Sequence, residues 1–213
     1  MNKAEYAAQR YWFAHKMIDT GADKRHVMAP DYPILNEDNQ HDYDHHYIYH
    51  TAWAARILAI TKPQKHIDVG SFLYFSTLVS AFIPVEFYDY RPIDVDFKGL
   101  TVGNADLTAL PFGDRSIESL SCMHVVEHIG LGRYGDPLDP DGDLKAMREL
   151  QRVIAPGGQL LFVVPVGKPE IFFNAHRVYL PSQVSEAFNE LEGVFYEPTP
   201  GCGCFVFRRE VGK

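Results

Sequence analysis

The segment Ile67-Asp68-Val69-Gly70-Ser71-Phe72-Leu73-Tyr74 constrains the fold more than any other. A strand-length apolar stretch runs through an acid and a branched residue to a glycine, and a helix-competent sequence follows at once. A strand that turns through glycine into a helix opens an α/β sheet whose ligands sit beyond the carboxyl ends of its strands. Gly70 lets the backbone come close to such a ligand. Loops of this kind usually carry further glycines, but here Phe72 and Tyr74 stand in their place. Two outcomes are open: the loop takes another path and the ligand still binds, or the pocket is altered or partly closed.

The alternation then repeats. Strands are expected at 66–69, 85–88, 100–102, 117–123, 159–166, 194–196 and 205–208. Helices are expected at 4–18, 46–60, 73–82, 144–154 and 181–191. In the second helix Ile48, Trp53, Ile57, Leu58 and Ile60 are compatible with one buried face. Leu144, Met147, Leu150 and Ile154 recur at helical spacing, with Asp141 or Asp143 placed to cap that helix. Pro156-Gly157-Gly158 should end it, and Pro181 suits a first helical turn. The last two strands should form an antiparallel pair. The fold class is α/β: a mainly parallel, Rossmann-like sheet with an antiparallel C-terminal strand and helices on both faces. Residues 1–45, rich in Asp, His, Tyr and Asn, read as an N-terminal extension folding over the sheet's carboxyl edge as a lid. Residues 46–213 read as the ligand-binding domain.

Composition excludes some functions. A net charge of -8 over 213 residues, with no basic stripe, argues against holding nucleic acid by its backbone. The longest apolar run, Leu160 to Val164, is far too short to span a membrane, and no secretory signal is visible. Three cysteines, Cys122, Cys202 and Cys204, make no disulfide framework, so a reducing, cytoplasmic setting is expected. Cys202-Gly203-Cys204 reads as small residues in a turn feeding the last strand.

Asp89 ends the second strand about 20 residues after the first, where an acid commonly accepts from both ribose hydroxyls. A carboxylate suits a vicinal diol because it only accepts; a capping or turn role before Arg91-Pro92 explains the same residue equally well. Asp106-Leu107-Thr108-Ala109-Leu110-Pro111-Phe112-Gly113-Asp114 then resembles the acidic loop of class I S-adenosylmethionine (SAM)-dependent methyltransferases. Val125 to Ile129 and Glu149 to Gly158 resemble that family's later segments, in the same order. The resemblance implies SAM as cofactor and a seven-stranded sheet. It also implies cofactor contacts from Asp68, Gly70, Ser71, Asp89, Tyr90, Asp106, Leu107 and His124. Gly130 to Pro137 and Phe173 to Arg177 resemble a little-characterised branch associated with carbohydrate and envelope-polysaccharide gene neighbourhoods. That narrower likeness implies a sugar or sugar-nucleotide hydroxyl as acceptor.

Methyl transfer from a sulfonium is an in-line displacement, so positioning the acceptor is the main task, and a hydroxyl acceptor also needs a base. His124, His128 and His176 are the candidate bases. Asn174 and Arg177, expected on a loop, suit recognition of a small polar substrate, with Arg177 able to fork onto a carboxylate or phosphate; a loop held by its own hydrogen bonds is the even alternative. Tyr43, His45, His46 and Tyr47 are expected to line the pocket from the lid. His46 and His50 would share a helix face, yet no complete motif surrounds them, and no metal is expected. The rival to an enzyme is a binding module of the same fold that has lost transfer; a nicotinamide oxidoreductase lacks its glycine fingerprint.

Overall fold

The computed structural model describes residues 3–20, 44–91, 93–199 and 201–212. The chain divides into two units, Met1–Tyr43 and Asp44–Lys213. The first contributes helix α1 (Lys3–Thr20), none of whose residues is buried. The expected lid falls largely on residues 21–43, outside the described residues, and Tyr43 is among them.

The second unit opens with α2 (His45–Thr61). Asp44 caps it by accepting from the Tyr47 amide at 3.3 Å. The alternation follows: β1 (His66–Val69), α3 (Leu73–Val79), β2 (Val85–Asp89), β3 (Leu100–Asn104), β4 (Ile117–Met123), α4 (Gly142–Val153) and β5 (Ile154–Pro165). The chain ends with a hairpin of β6 (Glu170–Phe172) and β7 (His176–Val178), then α5 (Pro181–Ala187), β8 (Glu192–Thr199) and β9 (Cys202–Arg208). The seven-stranded sheet has the order β3-β2-β1-β4-β5-β9-β8. The pairs joining β3, β2, β1, β4 and β5 are parallel, and β9 runs antiparallel to both β5 and β8. The order reverses between β1 and β4, which opens a crevice at their carboxyl ends.

Strand β5 shows why the sheet is covered on both faces. Leu160 to Val164 are all fully buried. Leu160, Phe162 and Val164 pack with Met147, Leu150, Val184 and Phe188 of α4 and its neighbours. Leu161 and Val163 pack with Trp53, Leu58, Phe75 and Val79 of α2 and α3. Side chains alternate along a strand, so one apolar run feeds two cores. Each such side chain stabilises the fold by about 1.5–3 kcal/mol.

Several local expectations need correction. Helix α2 buries His50, Trp53, Ala54 and Leu58, while Ile48 and Ile60 lie exposed. Neither acid caps α4: Asp141 makes no side-chain cap, and Asp143 is buried, accepting from the Tyr179 hydroxyl at 2.9 Å. Pro156-Gly157-Gly158 lies within β5, around an irregularity in its pairing with β4. Cys202 to Cys204 are the opening residues of β9, paired with both neighbours.

Candidate functional site

A cleft of about 790 Å³, measured to its open mouth, lies at the carboxyl ends of β1, β2 and β3. Gly70, Asp89, Tyr90, Asp106 and Leu107 all line it, joined by Val69, Ala105, Thr108 and Val125. Gly70 has φ of +71°, and a Cβ there would press to 2.9 Å from Val125. Only glycine takes that conformation and approach without strain.

The two expected acids are poised alike. Asp89 Oδ1 accepts from the Arg91 amide at 2.8 Å, and Asp106 Oδ1 from the Thr108 amide at 2.8 Å and hydroxyl at 2.7 Å. Each carboxylate is thus oriented through one oxygen. Among the described residues its Oδ2 has no protein donor, so each offers an acceptor to a ligand.

The far wall is the loop after β4. Asp136 organises it, accepting from the amides of Gly130 at 2.7 Å, Gly132 at 3.4 Å and Tyr134 at 3.2 Å. A Cβ at Gly130 would collide with the Asp139 carbonyl oxygen, so the two loop strands meet only over glycine. Tyr134 lines the cleft with the Arg91 guanidinium 4.6 Å from its ring centre and Arg133 at 5.3 Å. Among the described residues the lining holds the carboxylates of Asp89, Asp106, Asp136 and Asp139 and no lysine or arginine.

Other expected contacts lie elsewhere. Asp68 is fully buried, accepting from the Ser71 amide at 3.2 Å and the Ser76 hydroxyl at 2.7 Å. Burial lifts its carboxyl to about 6, against those hydrogen bonds. Ser71 Oγ in turn accepts from the Met123 amide at 3.0 Å, tying the β1 loop to β4. Both residues hold the loop from beneath and do not line the cleft. Phe72 and Tyr74 do not line it either. The Phe72 ring is partly exposed and packs 5.0 Å from Tyr47 of α2 and 5.0 Å from Tyr74. The loop therefore needs glycine only at Gly70, and the aromatic side chains leave the cleft open.

The expected substrate residues are placed differently. Arg177 is buried, donating to the carbonyls of Ile129 at 2.6 Å, Pro140 at 3.2 Å and Asp139 at 3.5 Å, and lies 3.5 Å from Asp143. Its guanidinium fastens the cleft-forming loop and is not free to fork onto a ligand. Asn174 sits in the β6–β7 turn with φ of +59°, a conformation asparagine tolerates. His176 stacks on Phe172 at 5.0 Å.

Two of the candidate bases, His124 and His128, flank the buried Glu127. His124, at φ +56°, bonds Glu127 Oε1 through Nδ1 at 2.9 Å. Its Nε2 is buried beside Cys202 and His46. Burial opposes its charge, but the Cys202 sulfur and the Glu127 carboxylate lift it to about 9. His128 Nδ1 lies 2.5 Å from the Ala175 carbonyl, which assigns the proton to Nδ1 and leaves Nε2 as an acceptor. Burial lowers its pKa, so it is neutral near pH 7. The His128 ring meets Tyr134 of the cleft edge-on at 5.6 Å. His46 and Tyr47 lie on α2, against His124 and Phe72.

A family model described as a Caenorhabditis protein of unknown function, DUF268, matches residues 114–194. No curated protein sequence matches the chain. Solved structures match well in shape. The 4+2 cyclase SpnF superposes with a TM-score of 0.61 at 14% identity, over 76% of this chain and 81% of that one. The fold is that of the class I SAM-dependent methyltransferases. The 1,6-didemethyltoxoflavin-N1-methyltransferase of Burkholderia thailandensis, solved with bound 1,6-didemethyltoxoflavin and S-adenosylhomocysteine, matches with a TM-score of 0.58 at 14% identity over 99% of this chain and 91% of its own. A TehB-like SAM-dependent methyltransferase of Corynebacterium glutamicum gives 0.52 at 17% identity, over 74% and 87%. One neighbour is a cyclase, so the shared fold does not itself assign the reaction.

Sequence reasoning missed the Gly130–Gly142 wall of the cleft as a contributor. The signal for it was the alternation of Gly130, Gly132 and Gly135 with Asp136. Glycines at positive φ gathered around one carboxylate make a compact loop, and a compact loop at a strand's carboxyl end is where ligands sit.

Proposed function

We propose that this chain binds SAM in the cleft and transfers its methyl group to a small polar acceptor. The observation that carries the reading is the pair of matched acids. Asp89 and Asp106, at the ends of adjacent strands, each use one oxygen to bond the fold, and both line the cleft with Gly70. Asp89 would accept from the ribose diol and Asp106 from the adenine amino group. Among the described residues the lining holds four carboxylates and no lysine or arginine, which suits a nucleoside carrying a cationic sulfonium.

His128 is the proposed base. It is neutral near pH 7, its Nδ1 proton is held by Ala175, and its ring adjoins Tyr134 at the cleft mouth. His124 is a positioning residue, because Glu127 holds one ring nitrogen and the other faces Cys202 and His46. A sugar hydroxyl suits the acceptor: Tyr134 offers a ring face, and Arg91 and Arg133 beside it offer charge for a sugar nucleotide's phosphates. Incubation with methyl-labelled SAM and a panel of sugars and sugar nucleotides tests this. Label transferred to a hydroxyl supports it. A protein that binds SAM but labels no acceptor, and is unchanged by His128→Gln in slow SAM hydrolysis, fits a binding module instead.

A further inference from the structure

Three elements remote in sequence bring together His46 of α2, His124 just after β4, and Cys202 at the start of β9. One ligand atom from each, two imidazole nitrogens and the thiol sulfur, lie within 4.8 Å of one another. We propose that they bind a zinc-type divalent cation.

The donor set fits a borderline-soft cation with nitrogen and sulfur ligands. Tetrahedral zinc with ordinary bond lengths holds neighbouring donors about 3.3–3.6 Å apart. His124 Nε2 and His46 Nδ1 are buried, and among the described residues neither has a nitrogen or oxygen partner. Buried nitrogens are rarely left unpaired. His50, one turn after His46 and fully buried, has neither ring nitrogen paired, and its ring lies 4.9 Å from His124. It is a candidate for a fourth ligand.

Two further features match a built site. Glu127 Oε1 bonds His124 Nδ1 at 2.9 Å, which leaves Nε2 as the ring nitrogen beside Cys202. A carboxylate behind a histidine in this way orients metal ligands. Gly201, at φ +78°, precedes Cys202, and a Cβ there would collide with the His46 ring. The glycine thus admits the imidazole to the sulfur. The expectation of no metal rested on a missing linear motif, whereas these ligands converge only in the folded sheet. A bound ion would pin α2 and β9 to the end of β4.

The test uses untagged full-length protein, stripped with a chelator and titrated with cobalt(II) chloride. One equivalent should give visible d–d bands of a tetrahedral site and a near-ultraviolet thiolate-to-cobalt charge-transfer band, both displaced by zinc chloride. Cys202→Ser should lose the charge-transfer band, and Cys204→Ser should keep it. Glu127→Gln should weaken cobalt affinity by about 10- to 100-fold. Zinc should raise the thermal midpoint of wild type and not of His46→Ala. Folded wild type without the charge-transfer band, or Cys202→Ser retaining it, overturns the proposal. None of these readouts depends on SAM binding or methyl transfer.

Discussion

Replacing Asp89 by Asn separates its two jobs. Oδ1 accepts from the Arg91 amide at 2.8 Å and Nε at 3.3 Å; among the described residues Oδ2 has no protein donor, and Asp89 lines the cleft. Asparagine keeps an oxygen for the Arg91 amide. Flipping it would set two N–H donors against each other, so its orientation is determined. The cleft then meets an NH₂ where the ribose diol needs an acceptor. Hydrogen bonds to a charged group contribute about 1.5–3 kcal/mol, so the Kd for S-adenosylhomocysteine should rise roughly 10- to 150-fold. The ion pair to Arg91 is long, at 3.3 Å, and its arginine is exposed, so it adds little to stability. The urea midpoint should therefore stay near wild type, with a change under about 0.5 kcal/mol. Calorimetric titration of both proteins measures the ratio. A Kd within about threefold of wild type, in a folded variant, would refute the ribose assignment.

Other outcomes follow from the same geometry. Phe72→Gly should leave the Kd for S-adenosylhomocysteine within about threefold, because the ring packs on Tyr47 and not in the cleft; clear tightening by calorimetry would mark the loop as a closed relic. Arg177→Met leaves Asp143 buried without its cation and should cost about 3–5 kcal/mol in urea unfolding, loosening the cleft wall it holds. Asp68 titrates near 6 when folded and near 3.8 when unfolded. The folded state then binds more protons between those values, so this carboxyl makes stability fall as pH rises from about 4 to 6, by up to about 3 kcal/mol. Asp68→Asn should remove that component, seen as a pH-dependent difference in urea midpoints that levels off above pH 6. If His128 is the base, burial places its pKa below 6.5. The acid limb of kcat/KM should then lie below that pH, and His128→Gln should lose about 10²–10⁴-fold in kcat.

The sheet was largely readable because its strands are either all apolar or strictly bounded. His66–Val69 and Ile117–Met123 carry the boundaries expected of them, and Leu160 to Val164 can only be a strand buried on both faces. Gly70, Asp89 and Asp106 were legible because strand ends lie on one edge of a parallel sheet, so sequence order becomes spatial order. Arg177 was misread because a free and a buried guanidinium look alike in sequence; only the carbonyls of Ile129 and Pro140 reveal that its donors are spent. The β6–β7 hairpin has strands of three residues each, too short for an alternation to mark it. His46, His124 and Cys202 meet through packing of α2 across the sheet, which no local pattern encodes.

The central claim is that the Gly70–Asp89–Asp106 cleft is a SAM site. Calorimetric titration of wild-type protein with S-adenosylhomocysteine tests it most directly, with NAD as the comparison ligand. One saturable site per chain, competed by SAM and abolished in Asp89→Ala/Asp106→Ala, is the predicted result. Folded protein that binds neither SAM nor S-adenosylhomocysteine, or that binds NAD in their place, would contradict it.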